Sequence, residues 1–85
     1  MLTLYYYDSC PFCRRVIRAI DELGIRGQLQ YRNIHESREA ASEIRHYQNG
    51  RSQVPMLLIG TVPMLESEDI IAYLRERFGQ KAASH

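Results

Sequence analysis

The sequence predicts a small α/β domain in which a four-stranded mixed sheet packs against three helices. Short β-like apolar runs alternate with segments whose apolar residues recur at helical spacing. Their order is β-α-β, then α, then a β-β hairpin, then α. The first unit requires a right-handed parallel crossover and the hairpin adds antiparallel strands. With 85 residues, 45% of them hydrophobic, we expect one domain over residues 1–79 and a C-terminal tail over residues 80–85.

The first half of the chain supplies two strands and two helices. Leu2–Tyr6 is apolar almost throughout, which is typical of a central strand covered on both faces. Pro11–Leu23 has the apolar spacing of an amphipathic helix, and Gly24 ends it as a left-handed cap. An alternating segment over residues 29–34 predicts a weaker second strand, and residues 37–47 predict a second helix.

The second half supplies a hairpin and a helix. Residues 54–59 form the predicted third strand, and residues 62–65 the fourth, after a tight turn. Pro63 cannot donate to a strand ladder, so we expect the fourth strand at an edge of the sheet. Ser67 is expected to cap the third helix, which Gly79 ends.

Composition narrows the functional classes. A formal net charge of +1 gives no electrostatic argument for binding nucleic acid. No apolar run approaches the roughly 20 residues that span a bilayer, and the N-terminus lacks the features of a signal peptide. We therefore expect a cytoplasmic location and no nucleic-acid or membrane partner. We also expect a monomer.

Cys10-Pro11-Phe12-Cys13 holds the only two cysteines of the sequence, at the predicted junction of a strand and a helix. Unpaired N–H groups and the helix dipole favour a thiolate there, and the thiolate is the reactive species. With Pro11 as the first helical residue, Cys10 is the N-cap, and its sulfur can accept from the N–H groups of Phe12 and Cys13. Cys10 is thus the predicted nucleophile. Cys13, one turn further and nearer the core, is fit to resolve a mixed disulfide.

Two other interpretations of the cysteines remain: an inert pair, or half of a zinc site. Zinc normally takes four ligands, and the remaining candidates His35, His46 and His85 show no ligand spacing. In a reducing compartment, an isolated Cys-x-x-Cys at a strand–helix junction favours redox chemistry. We expect no metal.

Three motifs together resemble a known family. Cys10-Pro11-Phe12-Cys13 after a β-run resembles the active-site motif of dithiol glutaredoxins, and Val54-Pro55 resembles their Val-Pro loop. Leu65-Glu66-Ser67 at the start of a helix is similar to the N-terminal, thioredoxin-like domain of glutathione S-transferases. The resemblance covers residues 1–79. It implies a thioredoxin-like, glutaredoxin-type fold with a cis Val54–Pro55 bond.

The resemblance also implies a glutathione site, in which the Val54 backbone pairs with the cysteinyl part. Ser67 could bind the γ-glutamyl carboxylate and Glu66 the adjacent ammonium, because a helix N-terminus binds carboxylates; a plain N-cap beside a solvated acid is the alternative. Glu68 and Asp69 would repel that carboxylate unless they point away. The expected glutathione-binding residues are Val54, Pro55, Glu66, Ser67, Phe12, Gln53 and Arg51, the last two by position near the glycine carboxylate.

The predicted function is that of a glutaredoxin: a Cys10 thiolate reduces protein–glutathione mixed disulfides and protein disulfides, with glutathione as co-substrate. Glutathione transfer to an electrophile is less expected, because transferases carry a second, all-helical domain and this sequence ends at His85. A dimeric iron–sulfur carrier, with a cluster held by Cys10 and glutathione, is disfavoured by the stiff Pro11. A glutathione-binding regulator with little turnover is the remaining alternative.

Overall fold

All seven predicted elements are present in the computed structural model, which describes residues 1–79. A 3-10 turn, Arg26–Gln28, precedes the second strand, and a π-helical turn, Arg75–Gly79, follows the last helix. The predicted tail, residues 80–85, lies outside the described residues. The elements are β1 (Leu2–Tyr6), α1 (Pro11–Leu23), β2 (Leu29–Asn33), α2 (Arg38–Tyr47), β3 (Met56–Ile59), β4 (Val62–Met64) and α3 (Ser67–Leu74).

The sheet is mixed, with the strand order β2-β1-β3-β4. β1 and β2 are parallel and are connected through α1, whereas β3 is antiparallel to both β1 and β4. The predicted position of β4 at an edge is confirmed. Pro63 lies opposite Leu58 in the β3–β4 register and has no N–H to contribute to a further strand.

Helices cover both faces of the sheet, as predicted for β1. Successive side chains of a strand point to opposite faces, so Leu4 and Tyr5 enter different clusters. Leu4 lies on the face covered by α1 and α3, and Tyr5 on the face covered by α2. The first cluster includes Leu2, Leu4, Val16, Ile20, Leu57, Ile70 and Leu74, and the second consists of Tyr5, Ala40, Ile44, Met56 and Leu58.

Several predicted boundaries shift by one or two residues. β3 begins at Met56 rather than at residue 54, since Pro55 offers no N–H to a ladder. β2 and β4 each end one residue earlier than predicted. α2 begins one residue later, because Ser37 is its N-cap and its hydroxyl accepts from the N–H of Ala40 at 3.1 Å.

The predicted cap of α3 is wrong by one residue. Glu66 occupies the N-cap position with a φ of 73°, its side chain makes no capping bond, and Ser67 is the first helical residue. The preference of serine for caps gave the expectation, whereas the backbone turn after β4 places the left-handed residue at Glu66. The regular helix ends at Leu74, and Phe78 in the following π-helical turn still packs, half-buried, against the α1–α3 cluster.

No helix within residues 1–79 is long and apolar enough to cross a membrane.

Candidate active site

Cys10 is the N-cap of α1. Its backbone is extended, with φ −81° and ψ 117°, and Pro11 follows as the first helical residue. The sulfur accepts a hydrogen bond from the N–H of Cys13 at 3.2 Å, whereas the bond predicted from Phe12 is not formed. The backbone N–H of Cys10 donates to the carbonyl of Tyr7 at 3.3 Å, which holds the β1–α1 loop in place. The predicted N-cap is therefore present, with one of the two predicted N–H donors to the Cys10 sulfur.

The two thiols differ in their surroundings. Cys10 keeps 4% of its surface exposed, whereas Cys13 is fully buried. Burial raises the pKa of the Cys13 thiol to about 12. A hydrogen bond with the Cys10 sulfur acts in the same direction, and one with the Tyr7 backbone opposes it. Cys13 therefore keeps its proton at neutral pH and can donate to the sulfur of Cys10.

A cleft of about 240 Å³ contains all the residues predicted to bind glutathione except Arg51. Its lining comes from the first turn of α1, the segment before β3 and the start of α3: Phe12, Gln53, Val54, Pro55, Glu66 and Ser67. Arg51 lies in an adjoining groove of about 380 Å³, on the other side of Gln53, which lines both. The segment before β3 thus presents Gln53 to the cleft and Arg51 to its neighbour.

Sheet topology explains why these distant segments meet. β3 is antiparallel to β1, with Tyr5 opposite Met56, so the end of β1 and the start of β3 lie side by side. The thiol loop follows β1, and Val54-Pro55 precedes β3. β4 runs antiparallel to β3, with Met64 opposite Leu57, so the chain leaving β4 returns to the same end of the sheet. Glu66 and Ser67 are therefore brought beside Val54-Pro55.

The cleft has an apolar wall and a polar end. Phe12 is 56% exposed, and Pro55 is buried and is joined to Val54 by a cis peptide bond, as the resemblance implies. At the other end Ser67, only 8% exposed, opens α3, where the first N–H groups have no partner within the helix. Glu66, which precedes Ser67, is exposed and also lines the cleft. Donors beside a carboxylate suit the carboxylate and ammonium groups of an amino-acid ligand.

Glu68 and Asp69 follow Ser67 and are expected to repel a ligand carboxylate unless they point away. The structure shows where Glu68 points. The carboxylate of Glu68 lies 3.8 Å from the guanidinium of Arg15, and both side chains are well exposed. Glu68 lines a separate groove between α1 and α3 and not the cleft. Its carboxylate therefore faces α1 and not the cleft.

Sequence reasoning missed a network on the other side of the thiol loop. Asn33, buried at the end of β2, accepts from the N–H of His35 at 2.9 Å and donates to the carboxylate of Asp8 at 3.4 Å. The His35 ring stacks on Tyr7, with centroids 4.0 Å apart. The network ties the β1–α1 loop to the β2–α2 loop. The available signal was an asparagine at the end of a strand, where a polar side chain needs a partner if buried.

A larger groove of about 490 Å³ follows the outer side of α1. Like the cleft, this groove has no cysteine among its lining residues, and unlike the cleft it contains none of the residues predicted to bind glutathione. In the part of the chain that the structure describes, no three His, Cys, Asp or Glu side chains form a group that could hold a metal ion.

The strand order and the capped thiol beside the start of β3 define a thioredoxin-like domain. Residues 4–82 match the family described as "Glutathione S-transferase, N-terminal domain", and the chain belongs to this family. The resemblance to the transferase domain is therefore confirmed over nearly the whole chain. A search of curated proteins gives no match.

Solved glutathione transferases share the fold. Glutathione transferase E6 from Drosophila melanogaster is 28% identical, with a TM-score of 0.71 over 92% of this chain and 35% of that one. An epsilon-class transferase from the housefly, Musca domestica, is 22% identical, with a TM-score of 0.73 over 93% of this chain and 36% of that one. Omega 2C from Trametes versicolor is 19% identical, with a TM-score of 0.76 over 93% and 38%. The chain thus spans little more than a third of these proteins.

Proposed function

We propose that this domain is a glutathione-dependent thiol–disulfide oxidoreductase of the glutaredoxin type, with residues 1–79 as its working unit. The observation that carries the proposal is the position of Cys10. It caps α1, its sulfur accepts from the N–H of Cys13, and Phe12 of the same turn forms a wall of the cleft. Family membership supports glutathione as the co-substrate. The proposed partners are glutathione and proteins that carry a glutathionyl group or a disulfide.

In the first step the Cys10 thiolate attacks the glutathionyl sulfur of a protein mixed disulfide. A bond forms between Cys10 and that sulfur, the old disulfide breaks, and the protein thiolate leaves and takes a proton from solvent. The exchange is faster when the attacking group is a thiolate and the leaving thiol has a low pKa. Oriented N–H groups at the start of α1 stabilise negative charge on Cys10 before the attack and after each release.

The second step returns Cys10 to the reduced form by one of two routes. A second glutathione thiolate attacks the glutathionyl sulfur, releases the Cys10 thiolate and leaves as glutathione disulfide. Alternatively, Cys13 loses its proton, attacks the Cys10 sulfur and expels glutathione, and two further glutathione molecules then reduce the Cys10–Cys13 disulfide. The raised pKa of Cys13 disfavours the second route at neutral pH, since little Cys13 thiolate forms.

Glutathione is proposed to lie along the cleft with its sulfur towards Cys10. Ser67 at the start of α3 receives the γ-glutamyl carboxylate, and Glu66 pairs with the ammonium. The Val54 backbone pairs with the cysteinyl residue beside Phe12. Gln53, which lines the cleft, is the nearer candidate for the glycine carboxylate; Arg51 acts from the adjoining groove.

Turnover of a glutathionylated peptide by two cysteine variants tests the proposal. Cys10→Ser should abolish deglutathionylation, because it removes the nucleophile. Cys13→Ser should retain much of it through the route that uses a second glutathione. Circular dichroism and thermal unfolding of both variants control for folding. An equal loss in the two variants would contradict the assigned roles.

A second candidate is glutathione transfer to an electrophile within a longer protein. It is favoured by the family and by the 35% of Drosophila melanogaster glutathione transferase E6 that the chain covers. Chlorodinitrobenzene conjugation measured beside disulfide reduction separates the candidates. Conjugation without disulfide reduction would favour the transferase, and the reverse supports the oxidoreductase.

A further inference from the structure

The loop between α2 and β3 is closed on itself by one side chain. Gln48 follows α2, and the chain then reverses through Asn49 and Gly50, whose φ values are 57° and 95°. Both are left-handed, a conformation that glycine adopts freely and asparagine tolerates. The N–H of Gly50 donates to the carbonyl of Arg45 at 2.8 Å. The reversal brings Gln53 back alongside Gln48.

The amide of Gln48 binds both backbone groups of Gln53. Its Oε1 accepts from the N–H of Gln53 at 2.9 Å, and its Nε2 donates to the carbonyl of Gln53 at 2.9 Å. This pairing imitates the two bonds that a neighbouring strand would provide. Nε2 also lies 3.3 Å from the sulfur of Met56, which is fully buried in the second core cluster, on the face of the sheet covered by α2. The amide is thus anchored to the core on one side and to the loop on the other.

The residue held in this way borders the cleft. Gln53 lines the cleft and directly precedes Val54, whereas Gln48 lines only the adjoining groove. We infer that Gln48 is a positioning residue of the glutathione site: its amide fixes Gln53 and the Val54 backbone in the orientation that the ligand needs. The inference rests on the proposed function, and Gln48 acts through Gln53 without touching the ligand.

Loss of the amide should weaken binding and leave the thiol chemistry unchanged. Residues 49–53 are exposed, and the remaining backbone bonds of the loop are those of Gly50 to Arg45 and of Arg51 to the Gln48 carbonyl at 3.3 Å. A loosened loop must be ordered when glutathione binds, which lowers affinity. With two hydrogen bonds lost, we expect binding weaker by about tenfold.

Two variants separate hydrogen bonding from packing. Gln48→Ala removes the side chain beyond Cβ, and Gln48→Met keeps a side chain of similar length beside Met56 without an amide. Gln30→Ala, at an exposed glutamine on β2, is the matched control. Glutathione affinity by calorimetry, the KM for glutathione, kcat and the iodoacetamide reactivity of Cys10 are measured for each. Amide hydrogen exchange is followed at Gln53 and, for comparison, at Leu57 in β3.

The expected result has four parts. Both Gln48 variants raise Kd and KM for glutathione about tenfold, keep kcat at saturating glutathione, keep the alkylation rate of Cys10, and speed exchange at Gln53 but not at Leu57. Wild-type affinity in Gln48→Met, or an equal loss in Gln30→Ala, would overturn the inference while leaving the proposed function intact. A wild-type chain that does not bind glutathione would overturn the proposed function and this inference together.

Discussion

Because Cys13 is more deeply buried than Cys10 and has a raised pKa, we expect it to be nearly unreactive towards alkylation in the folded protein. Cys10→Ser isolates Cys13 without opening the core, because serine can still accept from the N–H of Cys13 at the N-cap position. The main cause of the raised pKa of Cys13 is its burial, which this substitution leaves in place.

The expected loss of Cys13 reactivity follows from its raised pKa. The pKa of Cys13 is raised from 9.0 to about 12. Each pH unit changes the thiolate fraction about tenfold, so the fraction at neutral pH falls about a thousandfold below that of an ordinary cysteine. Alkylation by iodoacetamide requires the thiolate, and its rate falls in proportion. Complete burial of the side chain slows attack further, because the reagent must reach the sulfur.

Iodoacetamide alkylation of Cys10→Ser, followed by mass spectrometry, measures this rate. The native variant should react more slowly than the same chain in urea by more than about tenfold and by up to about a thousandfold, because burial remains while the contributions of the Cys10 sulfur to the raised pKa are lost. Its rate should continue to rise about tenfold per pH unit above pH 9. Cys13→Ser is the matched partner, in which Cys10 should react faster than Cys13 does in native Cys10→Ser, because burial raises the pKa of Cys13. Native Cys10→Ser reacting within about tenfold of the unfolded chain would refute the assignment of Cys13 as a buried thiol.

Three further predictions concern stability. Ser37→Ala removes the cap of α2 and should lower the free energy of unfolding by about 1 kcal/mol in urea titration, with no loss of cleft binding. Tyr5→Phe removes the 2.8 Å bond from the Tyr5 hydroxyl to Glu43 and should cost about 1–2 kcal/mol. Burial raises the pKa of Tyr5 from 10.0 to about 12. Between these two values unfolding releases the Tyr5 proton, so the free energy of unfolding of the wild type falls as the pH rises from 10.0 to about 12. Tyr5→Phe should flatten that fall. Arg15→Gln should change stability by less than about 0.5 kcal/mol, because its pair with Glu68 is long and exposed; a larger loss would give this ion pair a structural role.

The fold could be predicted because its local signals agree with its tertiary contacts. The apolar run of β1 is explained by helices on both faces, and the apolar spacing of α1 by its packing on one of them. Pro63 excluded a central position for its strand, and β4 lies at the edge. Each of these signals concerns one element and its immediate environment, which a pattern of side chains can encode.

Features that depend on backbone turns between elements were not predictable in the same way. Serine is a good cap by residue type, yet Glu66 takes the position, because the path of the chain after β4 decides where the left-handed residue falls. Arg51 lies outside the cleft for a similar reason: the turn after α2 determines which side of Gln53 each neighbour faces. The amide of Gln48 spans five positions along a loop, and no local periodicity indicates such a bond.

The candidate site nevertheless follows from strand order once the motifs are known. Cys10 follows β1, Val54-Pro55 precedes β3, and Glu66-Ser67 follows β4. In a sheet where β3 is antiparallel to both neighbours, the end of β1, the start of β3 and the end of β4 lie at one end of the sheet. Three motifs that are far apart in the sequence must then converge, whatever the loops do in detail. The loops decide only the finer matter of which side chains line the cleft, and for that reason the amide that fixes Gln53 matters to the affinity of the site.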